Sequence, residues 1–404
     1  MIEIANKNKA IYGTVALESS KSISNRLLII KQLSKSKIEI QNLSTSNDTK
    51  ILSKILNEYQ TKKNIYCQNA GTALRFVVAF LAAKEGIWKV SGSKRMHERP
   101  IKPLIDCLAE LGTEIKYLEK KGFPPIEIRS KKLKSKKLSL PGDISSQFIS
   151  ALLLVAPTIE NGLNLEITSK ILSKPYINMT LDLMNEFGIE YSWKNNLIKV
   201  QEQSYLGKSI HVENDWSAAS FWYSFLALSK SGEIKIPNLY ANSIQGDSIL
   251  SIIYSKLGIK TEFNEDSIIL SKTKNTAKEI ELDLSNHPDL ALPIIVTCAG
   301  LGTKAHLMGL ESLKIKESNR LECIKTELEK FNVISYVSDS SIKIIENQKI
   351  LQPISIIECH DDHRIPMSIA PLIMKVDSIK FTDKEVVNKS YPKFWQDLRK
   401  VGIG

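Results

Sequence analysis

No stretch of this 404-residue chain approaches the ~18–20 consecutive apolar residues that a membrane span needs; the longest candidates, 290–301 and 365–376, fall well short. The opening MIEIANKNKAIYG lacks the apolar segment of a secretory signal. Cysteine is scarce, and the five present (Cys67, Cys107, Cys298, Cys323, Cys359) are odd in number, spread out and free of any C-x-x-C pair. That excludes a disulfide scaffold or zinc ribbon and reads as reduced thiols of a cytoplasmic protein. With 43% apolar and 25% charged residues, the composition is that of a globular chain, neither disordered nor collagen-like. At this length a single core is too small an allowance, so two domains are expected.

Charge of one sign is in excess: 55 Lys and Arg against 44 Asp and Glu, a net +11. Such a surplus suits nucleic acid or small polyanionic substrates, and composition does not choose between them. Much of it lies in wet stretches such as KKLKSKK (131–137), so the informative cations are those in special local contexts.

A repeat runs through the chain. Segments 104–128, 179–200 and 248–270 each read as an amphipathic helix stopped by a glycine (Gly112, Gly188, Gly258), then two short strands joined by a turn. Segment 320–345 repeats this with Asn332 in the glycine place, 51–67 puts Gln60 there, and a truncated C-terminal copy ends at Gly402. From position 60 to 112, 188, 258, 332 and 402 the steps are 52, 76, 70, 74 and 70 residues, the spacing of one supersecondary unit with its connections. Six copies in two domains imply three per domain, with a junction near 211–215 and a ligand cleft between the domains. The first strand pair, 1–17, fits either half.

Several segments carry polar groups at expected helix starts. In SSKSISNRLLI (19–29), Ser20 or Ser22 caps a helix on which Ser22 and Arg26 share a face and Lys21 lies beside the N-terminal amides. That pattern is either an ordinary capped helix or a phosphate or carboxylate site. In QNAGTALRF (68–76), Gly71 leaves the backbone open to close approach, with Arg75 one turn on. SGSKRMHERP (91–100) packs Lys94, Arg95 and Arg99 into one loop; Ser145, Ser146 and Gln147 stand ahead of an apolar helix; Ser173 and Tyr176 flank Lys174-Pro175. Asp289, in NHPDLALPIIV, is either a general base or an N-cap. In KIKESNRLECI (314–324), Lys316 and Arg320 are expected on one helical face, i to i+4, with Glu317 between them in sequence. CHDDHRIPM (359–367) invites a metal reading, but the spacing matches no standard zinc or calcium site, and Arg364 would repel a cation. Lys389 precedes a turn in NKSYPKFW.

Taken in order, S-K-S-I-S-N-R, N-A-G-T-A-L-R, K-R-M-H-E-R-P, S-S-Q-F, S-K-P-Y-I, D-W-S-A-A-S, Q-G-D, P-D, K-E-S-N-R-L, D-H-R and N-K-S-Y-P resemble the 5-enolpyruvylshikimate-3-phosphate synthases over nearly the whole chain, from Lys21 to about Pro392. The resemblance implies two inside-out α/β domains of three repeated helix-plus-strands units each, 19–213 and 1–18 with 214–404, and an active site in the interdomain cleft. It implies transfer of the enolpyruvyl group of phosphoenolpyruvate to the 5-hydroxyl of shikimate 3-phosphate, in the route to chorismate and the aromatic amino acids. By carry-over, shikimate 3-phosphate would be held by Lys21, Ser22, Arg26, Ser145, Ser146, Gln147, Ser173, Tyr176, Asp289, Ser312 and Lys316. Phosphoenolpyruvate would be held by Lys21, Gly71, Arg95, Gln147, Glu317, Arg320, Arg364 and Lys389. Asp289, Glu317 and Lys21 are the acid–base candidates, Asp289 as the base for the 5-hydroxyl. The resemblance calls for no cofactor, metal, nucleic acid or membrane, and for a cytoplasmic monomer.

Departures from the family pattern are Glu18-Ser19 in place of Pro-Gly, Gln68 in place of Gly, Phe76 in place of Pro, His97 in place of Lys, and Ser312 in place of Asn. The nearest alternative is enolpyruvyl transfer to UDP-N-acetylglucosamine on the same fold; that family typically has a cysteine in the loop ending Arg-Pro, and SGSKRMHERP has none. A basic nucleic-acid-binding protein would show cations along a face with interleaved aromatics, whereas here the distinctive cations stand singly beside helix starts.

Overall fold

Why helices lie inside and sheets outside follows from the sequence of four helices that are apolar all round. The structure, a computed structural model, describes every residue except Asn347. The chain forms two units, Met1–Ser19 with Glu213–Gly404, and Ser20–Val212. After β1 (Ile2–Ala5) and β2 (Ala10–Thr14), the 20–212 unit runs α1 (Lys21–Leu33), β3 (Glu39–Gln41), α2 (Asn47–Glu58), β4 (Asn64–Tyr66), α3 (Gly71–Ala82), β5 (Gly86–Ser91), α4 (Lys102–Glu110), β6 (Glu114–Tyr117), β7 (Ile126–Ser130), β8 (Lys137–Leu140), α5 (Ser146–Val155), β9 (Leu163–Ile167), α6 (Lys174–Glu186), β10 (Tyr191–Lys194), β11 (Leu197–Val200) and β12 (Ser209–His211). The other unit continues with α7 (Trp216–Leu228), β13 (Ser231–Pro237), α8 (Leu250–Ser255), β14 (Leu257–Phe263), β15 (Ser267–Thr276), β16 (Glu279–Asp283), α9 (Ala291–Leu301), β17 (Lys304–Met308), α10 (Arg320–Glu329), β18 (Ser335–Val337), β19 (Ile342–Ile344), α11 (Arg364–Ile369), β20 (Ser378–Phe381) and α12 (Phe394–Lys400). Among the described residues no helix is long and apolar enough to cross a membrane.

Each unit holds one two-stranded and two four-stranded sheets. All four larger sheets are built alike: a parallel pair, then a hairpin whose second strand joins antiparallel to the pair. In order these are β4-β5-β7-β6, β8-β9-β11-β10, β2-β13-β15-β14 and β16-β17-β19-β18. Helices α3, α5 and α9 are the crossovers within three of these pairs. In the remaining pair the whole 20–212 unit is inserted between β2 and α7. Parallel strands need such a crossover, whereas hairpin strands need only a turn.

The crossover helices are buried on every side. In α7 every residue but Ser217 is buried, in α9 every residue but Leu301, in α5 all but Gln147 and in α3 all but Thr72. A helix without a polar face can sit only in an interior. Strands instead alternate, as in β13, whose Ile234 and Ile236 point inward while Glu233 and Lys235 face solvent. The four-stranded sheets therefore turn one face to the helices and one to water.

The expected repeat is seen, and the 51–67 copy departs from it. Helices α4, α6, α8 and α10 each run into a hairpin, and Gly112, Gly188, Gly258 and Asn332 take left-handed φ of 105°, 82°, 83° and 64°. The 51–67 copy delivers one strand only, β4. Gln60 is not left-handed there; the chain leaves α2 through a turn in which the Thr61 and Lys62 amides both bond the Glu58 carbonyl. The C-terminal copy ends with α12 and Gly402, with no strand after it.

Glycine matters most where both φ and space demand it. A Cβ on Gly112 (φ 105°) would meet nothing within 4 Å, but one on Gly162 (φ 76°) would lie 2.7 Å from the Gln201 Cα and closer still to the Val200 carbonyl. Gly112→Ala is expected to cost about 1 kcal/mol, the left-handed backbone term alone. Gly162→Ala adds a backbone overlap and is expected to cost about 3 kcal/mol in total; denaturant unfolding of the two variants gives the ranking.

Candidate active site

In the 20–212 unit the Ser20 side chain accepts the Ile23 amide at 3.4 Å and caps α1. Lys21, in the first turn, lies with its Nζ 3.5 Å from Oδ2 of buried Asp48. One turn on, Arg26 is 3% exposed. It donates to the Thr180 hydroxyl (2.7 Å), the Ser22 carbonyl (2.9 Å), the Tyr176 carbonyl (3.0 Å) and the Ser150 hydroxyl (3.2 Å), and lies 5.5 Å from the Phe76 ring centroid. All four hydrogen-bond partners are neutral. Burial without a carboxylate pulls its guanidinium down to about 10. A buried cation that no carboxylate offsets is costly by itself, and an arriving anion relieves that cost.

The other segments of this unit gather at helix starts. Ser145 caps α5 by accepting the Gln147 amide at 3.3 Å, Ser146 is buried beside it, and Gln147 Nε2 donates to Thr72 at 3.1 Å, joining the first turns of α5 and α3. Ser173 stands ahead of α6 in a left-handed conformation (φ 56°), and the carbonyl of Tyr176, in the first turn, accepts from Arg26.

Around Gly71 the arrangement differs from the sequence-based reading. A Cβ there would lie 2.5 Å from Arg99 Nη1 and 3.1 Å from Arg75 Nη1. Arg75, i+4 from Gly71, folds back on its carbonyl at 3.1 Å and reaches the Pro100 carbonyl at 3.3 Å. Arg99 is 7% exposed, and its buried Nε has no hydrogen-bond partner. Arg95 is half-buried and pairs with Glu98 at 2.8 Å. Of the loop's three cations, the one brought against Gly71 is therefore Arg99. Pro100 is the signal that could have singled it out, because a residue before proline is held extended, and Arg99 is so (φ −94°, ψ 123°).

The other unit brings the acids together. Arg320, at the start of α10, is 2% exposed and binds three carboxylates: Asp362 through Nε at 2.7 Å and Nη2 at 3.2 Å, Glu317 through Nη2 at 2.9 Å, and Asp289 through Nη1 at 3.4 Å. Burial alone would lower its pKa, but Asp362, Glu317 and Asp289 together outweigh that and push it up. Arg364 binds Asp289 twice, Nη2 to Oδ2 at 2.9 Å and Nη1 to the backbone carbonyl at 2.8 Å. Lys389 Nζ lies 3.5 Å from Glu317 Oε1. Three cations and three carboxylates thus alternate in one cluster, with Asp362 fully buried and Asp289 and Glu317 at its more accessible side.

Lys316 and Arg320 do not share a helical face. The 3-10 turn Glu311–Ile315, which holds Ser312, ends before Lys316; Lys316 is extended (ψ −154°), and α10 begins only at Arg320. The pair on that segment is Glu317 with Arg320. Asp362 is a member of the charged cluster that the sequence did not single out. It also accepts the Arg364 amide (3.0 Å) and the Ser318 hydroxyl (3.2 Å), and so uses the polar atoms that made D-D-H look metal-like. Among the described residues no three His, Cys, Asp or Glu are grouped to hold a metal. His360 and Asp361, just before it, are both left-handed at φ 53°, a conformation that costs roughly 1–3 kcal/mol per non-glycine residue.

D-W-S-A-A-S and Q-G-D are also explained. Asp215 caps α7, Gln245 bonds the Trp216 amide (3.2 Å) and the Asn214 carbonyl (2.8 Å), and buried Asp247 accepts the Ser217 hydroxyl. Its other oxygen faces His287 Nδ1 at 3.9 Å, two residues before Asp289.

This architecture is shared with solved proteins. The fold is similar to that of EPSP synthase from Acinetobacter baumannii, with a TM-score of 0.79 over 100% of this chain and 99% of that one, at 19% identity. In sequence the chain is 42% identical to the 3-phosphoshikimate 1-carboxyvinyltransferase of Bacteroides fragilis over 98% of this chain and 96% of the relative. It is 31% identical to the enzyme of the same name from Histophilus somni, over 97% and 96%. The model of the EPSP synthase (3-phosphoshikimate 1-carboxyvinyltransferase) family matches residues 5–64 and 55–398. The chain belongs to that family.

Two outcomes are expected from the buried cluster. Asp362→Ala removes the bidentate partner of Arg320 and should cost about 3 kcal/mol, with Asp362→Asn milder because it keeps an acceptor for Ser318; denaturant midpoints compare them. His360, beside Cys323 and Glu327, has its pKa raised to about 10 by hydrogen bonds to both, against burial. Its contribution to stability is then complete below the ordinary histidine range and lost as pH rises through about 10. Melting temperature should therefore fall over that window in the wild type and fall less in His360→Gln.

Proposed function

We propose that this chain transfers the enolpyruvyl group of phosphoenolpyruvate to the 5-hydroxyl of shikimate 3-phosphate, giving 5-enolpyruvylshikimate 3-phosphate and inorganic phosphate. Beyond family membership, the observation that carries this reading is the pair of accessible carboxylates, Asp289 and Glu317, each flanked by cations in a cluster of three acids and three bases. Both substrates carry phosphate and carboxylate, so their approach needs several fixed cations. The addition needs a proton delivered to the methylene carbon of phosphoenolpyruvate and another taken from the attacking hydroxyl.

In this reading the methylene carbon takes a proton from Glu317 or Lys21 as C2 becomes electrophilic. The 5-hydroxyl oxygen bonds to C2 while Asp289 takes its proton. The tetrahedral adduct then loses a proton from the new methyl group, and the C2–O bond to phosphate breaks, re-forming the double bond. Arg320, Arg364 and Lys389 bind phosphoenolpyruvate together with Lys21, Gly71, Arg95, Gln147 and Glu317, with the buried Arg99 and Arg75 standing beside Gly71. Arg26, which has only neutral partners, takes an anionic group of shikimate 3-phosphate, with the hydroxyls of Ser22, Ser145, Ser146, Ser173 and Tyr176 as donors. Lys21, Gln147, Ser312, Lys316 and Asp289 complete that substrate's contacts. The five unpaired cysteines favour the cytoplasm, where we expect the chain to act as a monomer.

The test is phosphate release from phosphoenolpyruvate, with shikimate 3-phosphate and UDP-N-acetylglucosamine supplied in parallel. Release is expected with shikimate 3-phosphate alone and should fall at least about a hundredfold in Asp289→Ala. Release with the sugar nucleotide alone would overturn the substrate assignment, and an unimpaired Asp289→Ala would overturn the base.

A further inference from the structure

Asp362 and Arg364 hang from a turn that is conformationally costly, and something away from the reacting groups must hold it. Glu327 lies on α10 seven residues after Arg320, about two helical turns or ~10 Å along the axis. It is fully buried and touches none of the residues assigned above to substrate. Its Oε1 pairs with His360 Nε2 at 2.9 Å, and its Oε2 with Lys330 Nζ at 2.7 Å and the Glu358 amide at 3.0 Å. Lys330 in turn donates to the Ile356 carbonyl at 2.8 Å, and Glu358 accepts the Cys359 amide at 3.1 Å and the Thr382 hydroxyl at 3.0 Å.

One helix is thus fastened to one loop from both of its ends. Near the start of α10, Arg320 holds Asp362; two turns on, Glu327 holds His360. The two loop anchors, His360 and Asp362, are only two residues apart in sequence, and His360 and the intervening Asp361 are both in the left-handed region. With both anchors made, the chain has little choice of path between them. The Asp362 amide also bonds the Cys359 carbonyl at 3.0 Å; with the Glu327 anchor lost, that turn bond is left to hold His360 and Asp361 at positive φ, and Asp362 and Arg364 depend on it.

Resting on the function proposed above, we infer that Glu327 and His360 form a positioning clamp that sets the affinity for phosphoenolpyruvate by holding Asp362 and Arg364 against Arg320. Neither clamp residue contacts substrate; both act through the turn. The exposed Asp361 offers a rescue, because glycine there takes the left-handed conformation without strain and so lowers the cost of the native path when the clamp is lost.

The experiment compares full-length wild type, Glu327→Gln, His360→Ala, and Glu327→Gln combined with Asp361→Gly. The phosphate-release assay is read as separate KM values for the two substrates. The clamp predicts a KM for phosphoenolpyruvate about tenfold higher in each single variant, a KM for shikimate 3-phosphate within twofold of wild type, and recovery of most of the loss in the double variant. Amide hydrogen exchange over residues 360–365, recorded without substrate, should quicken about tenfold in the single variants and return in the double. An unchanged KM for phosphoenolpyruvate in folded single variants overturns the clamp. So does an equal rise in both KM values, or the absence of rescue, either of which marks a purely structural role. If wild type releases no phosphate, the proposed function fails instead, and the exchange rates still decide the clamp: unchanged rates overturn it.

Discussion

A single buried guanidinium governs the acid-bearing half of this protein. Arg320 is 2% exposed and meets three carboxylates that come from three turns: the one before α9 (Asp289), the one before α10 (Glu317) and the one before α11 (Asp362). Taking such a cation out of water costs several kcal/mol, recovered only when its donors find well-placed acceptors. The three turns are therefore fixed by one requirement. Arg364 and Lys389 extend the same logic by binding Asp289 and Glu317 from their other sides. None of the three carboxylates is held by a single contact, so the removal of any one partner loosens a neighbour as well.

Helix interiors explain why so much of the chemistry sits at helix starts. The crossover helices α3, α5, α7 and α9 are apolar along their bodies because they are surrounded by other helices and by the inner faces of sheets. Only a first turn can leave that apolar packing, and there the unpaired amides and the helix dipole favour anions and hydroxyl acceptors. Gly71 and Thr72, Ser145 to Gln147, and Asp215 with Ser217 all occupy such places. Arg26 is the exception: it lies in the second turn of α1, buried, and ties α1 to α5 and α6 through neutral oxygens alone. One unit thus offers a buried cation without a counter-ion, and the other offers cations already balanced by acids.

Periodicity and helix-stop chemistry made the repeat legible, since an amphipathic helix ending at Gly112, Gly188 or Asn332 is written in adjacent residues. The hairpins that follow were equally local. What escaped was set by distance along the chain. Asp362 reaches Arg320 across 42 residues, and nothing near either residue announces the pairing; the D-D-H cluster pointed toward a metal because His and Asp serve both ends. The i to i+4 face expected of Lys316 and Arg320 assumed a helix that begins four residues too early, before the Glu317–Arg320 ion pair had claimed the turn. Gln60 failed as a helix stop for the opposite reason. The 51–67 copy goes directly into a parallel strand, so no hairpin follows and no left-handed residue is needed. Arg95 and Arg99 are four residues apart with the same side chain, and only burial against Gly71 separates them.

Backbone strain gives an independent map of the same places. Ten non-glycine residues among those described are left-handed, and five of them are asparagine, the residue that bears this conformation most readily. The other five are Lys9, Gln68, Ser173, His360 and Asp361. Gln68 immediately precedes the Asn69-Ala70-Gly71 turn, Ser173 heads α6 beside Tyr176, and His360 with Asp361 leads into Asp362. Four of the five therefore adjoin segments that carry candidate site residues. Strain of this kind persists only where surrounding bonds over-determine the backbone. At His360 those bonds are visible in the Glu327 carboxylate. At Gln68 a glycine would take the same φ of 50° without cost, so glutamine there costs energy while the turn still leads into Gly71.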